Sequence, residues 1–146
     1  MATIKSFEDI EAWKMARELA KDIFEVTMKD TFARDFSLKD QINRACGSIM
    51  DNIAEGFERG GNKEFILFLS YARGSSGEVR SQLYRALDHK HINENEFNDF
   101  KSRVTQLSRM ITGFMIYLRN SDMKGLKFHE PEESYGNSGQ EDNQVT

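Results

Sequence analysis

The chain has 146 residues, 38% hydrophobic and 30% charged, with one proline against eleven phenylalanines and a formal net charge of -4. That length suits a single domain, and the scarcity of strand signals excludes an all-β architecture in favour of an all-α one with an aromatic core. The charge is unevenly placed. From Ser121 onward six acids meet two lysines, whereas residues 1–120 carry 18 acids and 18 bases. A neutral body lacks the basic footprint of a dedicated nucleic-acid binder, whose domain pI usually exceeds about 9.

The first helix is expected from Ser6, with Asp9 answering three residues later in the manner of a capping box. Ala12, Ala16, Leu19, Ile23 and Val26 then share a face, with Trp13, Ala20 and Phe24 beside them. A connection runs from about Lys29 to Phe36. Ser37 with Asp40 repeats the start signal, and Leu38, Ile42, Ala45, Ile49 and Ile53 form the core row of the second helix, flanked by Cys46, Met50 and Phe57. Gly60 and Gly61 end it.

Asn62 is the expected cap of a third helix reaching about His89, with Phe65, Ala72, Val79 and Ala86 at heptad spacing and Leu69, Ser76 and Leu83 between them. Gly74 and Gly77 inside this helix each cost about 1 kcal/mol relative to alanine, which suggests that another backbone approaches there. Asn93 with Glu96 opens the fourth helix. Its core row is Phe97, Phe100, Val104, Leu107, Ile111, Phe114 and Leu118. Short links make neighbouring helices antiparallel, so residues 1–120 are expected to form an up-down-up-down four-helix bundle. Residues 121–146 read as a disordered acidic tail.

No stretch is long and apolar enough for a membrane span, and no signal-peptide pattern is present, so a cytoplasmic protein is expected. The single cysteine agrees with a reducing compartment. Cys46 lies on the apolar side of its helix and reads as a buried structural residue rather than a nucleophile. No Glu-x-x-His pair suits a di-iron bundle. His89 and His91, two apart, point to different sides of a helix, so no metal site is expected from this pair alone. No cofactor and no small-molecule substrate are implied.

Arg85 and His91 carry the one enzyme-like pattern, similar to the Arg-x4-6-His signature of HEPN ribonucleases, in which such a pair performs metal-independent acid–base cleavage of RNA. That remains the alternative to a non-catalytic reading. Candidate nucleic-acid contacts are Lys14, Arg17 and Lys21 on the first helix and Arg73 and Arg80 on the third, although acids interspersed among them make a solvated, salt-bridged face the leading account.

Asn52-Ile53-Ala54-Glu55-Gly56-Phe57, followed by Lys63-Glu64-Phe65 and Phe68-Leu69, resembles the four-helix-bundle family first named for proteins encoded in intervening sequences of bacterial 23S rRNA genes. The resemblance spans roughly residues 7–118 and includes Phe7-Glu8-Asp9-Ile10, Trp13, Gly74-Ser75, Glu78 and Gln82-Leu83. Met50 stands where the family commonly has proline, and Ser76 where it commonly has leucine. The resemblance implies a homopentameric ring without known catalytic residues. One branch, the accessory proteins of diversity-generating retroelements, binds a reverse transcriptase and nucleic acid through a strongly basic surface that this neutral body lacks.

Two expectations about the motif rest on physics alone. Asn52 and Glu55 flank the buried stripe and should bond to a neighbouring helix, with Arg73 or Arg59 as partner for Glu55. Phe65-Ile66-Leu67-Phe68-Leu69 is a continuous apolar run that a helix must spread around its circumference at about 100° per residue. If Phe65 and Leu69 face the core, Leu67, Tyr71 and Gly74 lie opposite and mark an interface with another copy of the chain. The expected role is therefore a non-enzymatic, self-assembling scaffold or accessory protein whose first partner is itself, with RNA or DNA as a weak second.

Overall fold

A computed structural model describes residues 3–121 and the backbone of residues 128–129. Most of the acidic tail lies outside the described residues. The four long helices are α1 (Glu11–Thr27), α3 (Phe36–Glu58), α4 (Asn62–Asp88) and α5 (Glu94–Arg119), and a short α2 (Asp30–Arg34) fills the first connection. The protein is an all-helical bundle: α1 packs on α3 and α5, and α4 packs on the same two helices, which closes the core on four sides. A ribbon that the sequence did not signal pairs β1 (Thr3–Ile4) antiparallel with β2 (Phe128–His129), in the register Thr3 to His129 and Ile4 to Phe128.

The apolar rows read from the sequence are the rows that are buried. All seven residues of the α4 heptad pattern from Phe65 to Ala86, and all seven of the α5 row from Phe97 to Leu118, lie inside. Phe65 stands at the centre, edge-to-face with Phe57 of α3 at 6.0 Å and with Phe114 of α5 at 5.2 Å, so one aromatic stack bridges three helices. Ser76, expected to weaken its layer, is buried and turns its hydroxyl back onto the Arg73 carbonyl at 2.6 Å. Phe24, placed beside the core row, instead faces outward. Phe32, Ile10 and Ile92 enter the core from connections that carry no helical period.

Several helix starts differ from expectation. Ser6 opens only a 3-10 turn, Phe7–Asp9, in which the Asp9 carboxylate accepts from the Lys5 and Ser6 amides; the chain then extends at Ile10 before α1 begins. Asp35, not Ser37, caps α3, accepting from the Leu38 amide at 3.2 Å. Gly61 is the cap residue of α4, and the Asn62 amide instead donates to the Leu118 and Ser121 carbonyls, holding the end of α5 against the start of α4. Asn93 and Glu96 do form the expected reciprocal box, with bonds of 2.8 and 2.9 Å. Gly60 takes φ 88° and ends α3, as its lack of a Cβ permits.

Candidate functional site

The family-like motif occupies the last turns of α3, and its members have separate jobs. Ile53 and Phe57 are buried in the core, and Ala54 is half-buried. Gly56 is where α4 comes closest: a Cβ placed there would stand 2.7 Å from the Phe68 Cβ and 3.0 Å from the Phe65 ring. Asn52 does not reach across directly. Its amide donates to the Ser48 carbonyl and hydroxyl at 2.8 and 3.0 Å, and the Ser48 hydroxyl in turn accepts from Ser75 of α4 at 2.8 Å. This polar chain is the interhelical link, and it runs through Ser48, which sequence reasoning did not single out.

Glu55 is exposed rather than at the buried edge. Of its two candidate partners it takes Arg59 one turn on, at 2.8 Å, and Arg59 also lies over the Phe68 ring at 4.9 Å. Arg73 goes instead to the Thr112 hydroxyl of α5 at 3.3 Å. Glu78 lies on the exposed side of α4.

Leu67, Tyr71 and Gly74 do share the outer side of α4. Leu67 is 47% and Tyr71 50% exposed, and among the described residues nothing approaches the position of a Gly74 or Gly77 Cβ within 4 Å. The close backbone neighbour expected at these glycines is not found among the described residues. At the other end of the bundle Phe24, Met28 and Phe36 are also exposed, Phe36 by 76%.

The basic residues are dispersed. Lys14 pairs with Glu11 at 3.3 Å, Arg17 rests over the Trp13 ring at 5.9 Å, and Lys21 and Arg80 project into solvent on different helices. Arg103 of α5 crosses to Asp22 of α1 at 2.8 Å. Cys46 is buried, and burial pushes its thiol up to about 12, so no thiolate nucleophile forms near neutral pH.

The most concentrated chemistry gathers where α2 meets α3 and α4 meets α5. After His89 the chain closes a Schellman turn: Lys90 adopts φ 62°, its amide bonds to the Leu87 carbonyl, and the His91 amide bonds to the Ala86 carbonyl. Because the helix has ended, the two imidazoles no longer diverge as they would along it. His91 Nε2 lies 2.9 Å and His89 Nδ1 3.4 Å from Oδ2 of Asp35. His91 is 8% exposed, stacks on Phe32 at 4.9 Å, and places Nδ1 2.8 Å from the Thr31 hydroxyl. Hydrogen bonds from His91 and from the Leu38 amide hold the Asp35 carboxyl below the usual carboxylate range. Arg85, which the ribonuclease alternative pairs with His91, donates instead to the Gln41 side-chain oxygen at 3.1 Å. Both ring nitrogens of His91 thus have partners, neither of them Arg85.

No helix among the described residues is long and apolar enough to cross a membrane. No curated protein matches the chain. Among solved structures, a protein of unknown function from the S23 ribosomal protein family of Bacteroides thetaiotaomicron superposes with a TM-score of 0.66 at 19% sequence identity, over 71% of this chain and 97% of that one. The likeness is one of fold. The sequence model of the family described as 23S rRNA-intervening sequence protein matches residues 8–113, the stretch from the 3-10 turn to the middle of the α5 core row, and the chain belongs to that family.

Proposed function

We propose that the protein is a non-catalytic bundle that self-assembles in the cytoplasm into a closed homo-oligomer and serves there as a scaffold or accessory factor for a further partner. The observation that carries this reading is a pair of unlike apolar patches at opposite ends of one subunit. Leu67 and Tyr71 are exposed near the start of α4, and Phe24, Met28 and Phe36 at the junction of α1 with α3. Exposed apolar patches mark interfaces, and a contact between two different patches repeats from subunit to subunit until the rotation closes a ring. The open space over Gly74 suits close approach by a second backbone. Five subunits is the number that resemblance to the family implies. The burial of Cys46 and the hydrogen bond of Arg85 to Gln41 rather than to His91 support a non-catalytic reading.

Light scattering on the wild-type chain at micromolar concentration should give a mass several times that of one subunit. Leu67→Asp should give smaller particles with undiminished helical circular dichroism. A wild-type mass of one chain would sink the proposal.

Contact with RNA or DNA, through Lys14, Arg17, Lys21, Arg73 and Arg80, should be weak. A body with equal numbers of acids and bases neutralises few phosphates, and affinity falls with salt in proportion to the number neutralised. Fluorescence anisotropy with a labelled RNA should show binding disappear by about 200 mM salt, the range in which counterion release dominates. Tight binding that survives this salt would contradict the expectation.

A further inference from the structure

We propose that Asp35, His89 and His91 form a binding site for a divalent transition metal of the zinc class, with one coordination position open to water. One ligand atom from each of the three lies within 4.8 Å of the others. Zinc bonds to nitrogen and oxygen at about 2.0–2.2 Å, so tetrahedral ligand atoms stand about 3.3 Å apart. The two distances to Asp35 Oδ2, 2.9 and 3.4 Å, bracket that spacing. The third separation, between the two imidazoles, is at most 4.8 Å, and His89, the half-exposed ligand, is the one free to turn inward to close it. Two imidazoles and one carboxylate select zinc-like ions over magnesium or calcium, which prefer all-oxygen shells.

The surroundings are built as a metal site requires. Ligating histidines are normally fixed through the other ring nitrogen, and His91 has Thr31 there at 2.8 Å, with its ring clamped on buried Phe32. Asp35 spends Oδ1 on the Leu38 amide and leaves Oδ2 toward the imidazoles. The carboxylate only accepts, so without metal His91 carries its hydrogen on Nε2. When Nε2 takes the ion, the hydrogen moves to Nδ1, and the Thr31 hydroxyl turns from donor to acceptor with no change in net charge of the ring. His89 is half exposed, which opens the route for the ion and the place for a water. A bound ion would tie the α2–α3 junction to the turn between α4 and α5.

The test is calorimetric titration of the tag-free full chain with zinc chloride, repeated with cobalt as a visibly absorbing surrogate. One zinc per chain is expected, with a cobalt spectrum of tetrahedral type. His89→Ala, at a half-exposed position, and Asp35→Asn, which keeps an oxygen for the α3 cap, should each weaken binding at least tenfold, and Thr31→Val about tenfold through the outer shell. The remaining histidine is the control: His129→Ala should bind as wild type. No zinc uptake by the folded wild-type chain overturns the proposal. Uptake that persists unchanged in His89→Ala and Asp35→Asn, or that is lost in His129→Ala, overturns it equally.

Discussion

Gly56→Ala should lower the melting temperature, although alanine is by itself the better helix former. The added methyl would sit 2.7 Å from the Phe68 Cβ and 3.4 Å from the Phe65 carbonyl, atoms that cannot swing aside as the end of a long side chain can. The helices must part locally, and overpacking of this kind costs about 1–3 kcal/mol. The gain in helix propensity offsets about 1 kcal/mol of that. For a chain of this size each net kcal/mol shifts the midpoint by about 2–4 °C. Gly47→Ala, on the same helix, is the matched comparison, because its methyl meets nothing within 4 Å and should raise stability by up to about 1 kcal/mol. Thermal melts of the two variants side by side should therefore move in opposite directions. A Gly56→Ala midpoint at or above wild type would show that the α3–α4 approach is looser than described.

Phe32→Ala should have the larger effect. The ring is fully buried beneath a helix of only five residues, and phenylalanine-to-alanine changes at such positions cost about 3–5 kcal/mol. Roughly 10 °C of melting temperature is at stake on the same scaling. The loss should be accompanied by a change at His91, whose imidazole stacks on Phe32 with an interplanar angle of 19°. Histidine ring signals in NMR would report it. A stability change below about 1 kcal/mol, the range typical of surface substitutions and mild core changes, would mean that α2 is not packed as a part of the core.

These two positions also mark what can be read in the sequence and what cannot. Gly56 sits in a motif legible at once, on a long helix whose core rows follow a fixed period, and the rows of α3, α4 and α5 came out of that period without loss. Phe32 was missed because α2 is too short to show a period, and a single phenylalanine in a polar connection reads as exposed. The α3 cap was misplaced for a related reason. Asp35 and Ser37 are both good cap residues, and local spacing favoured Ser37, whereas the choice of Asp35 brings its carboxylate to histidines more than fifty residues away. The convergence of His89 and His91 depends on Lys90 in a left-handed conformation, which lysine seldom adopts and nothing in its neighbours announces. Residue spacing alone, measured along a helix, sends the two rings apart.

The hydroxyl chain from Asn52 through Ser48 to Ser75 has a bearing on how the fold rejects near misses. Apolar faces of α3 and α4 repeat so regularly that sliding one helix past the other by a turn, about 5.4 Å, would still bury most of the same kinds of side chain. Greasy contact alone discriminates weakly between such alignments. A slip would leave the Ser75 hydroxyl without its acceptor in a buried layer, and it would also carry Gly56 away from Phe68 and set a bulkier residue in its place. Polar groups embedded in helical seams are known to fix axial alignment in this way. The Ser75–Ser48 hydrogen bond thus acts as a vernier, with Asn52 steadying its acceptor from within α3: it adds little to the depth of the native minimum, and it makes its neighbours shallower.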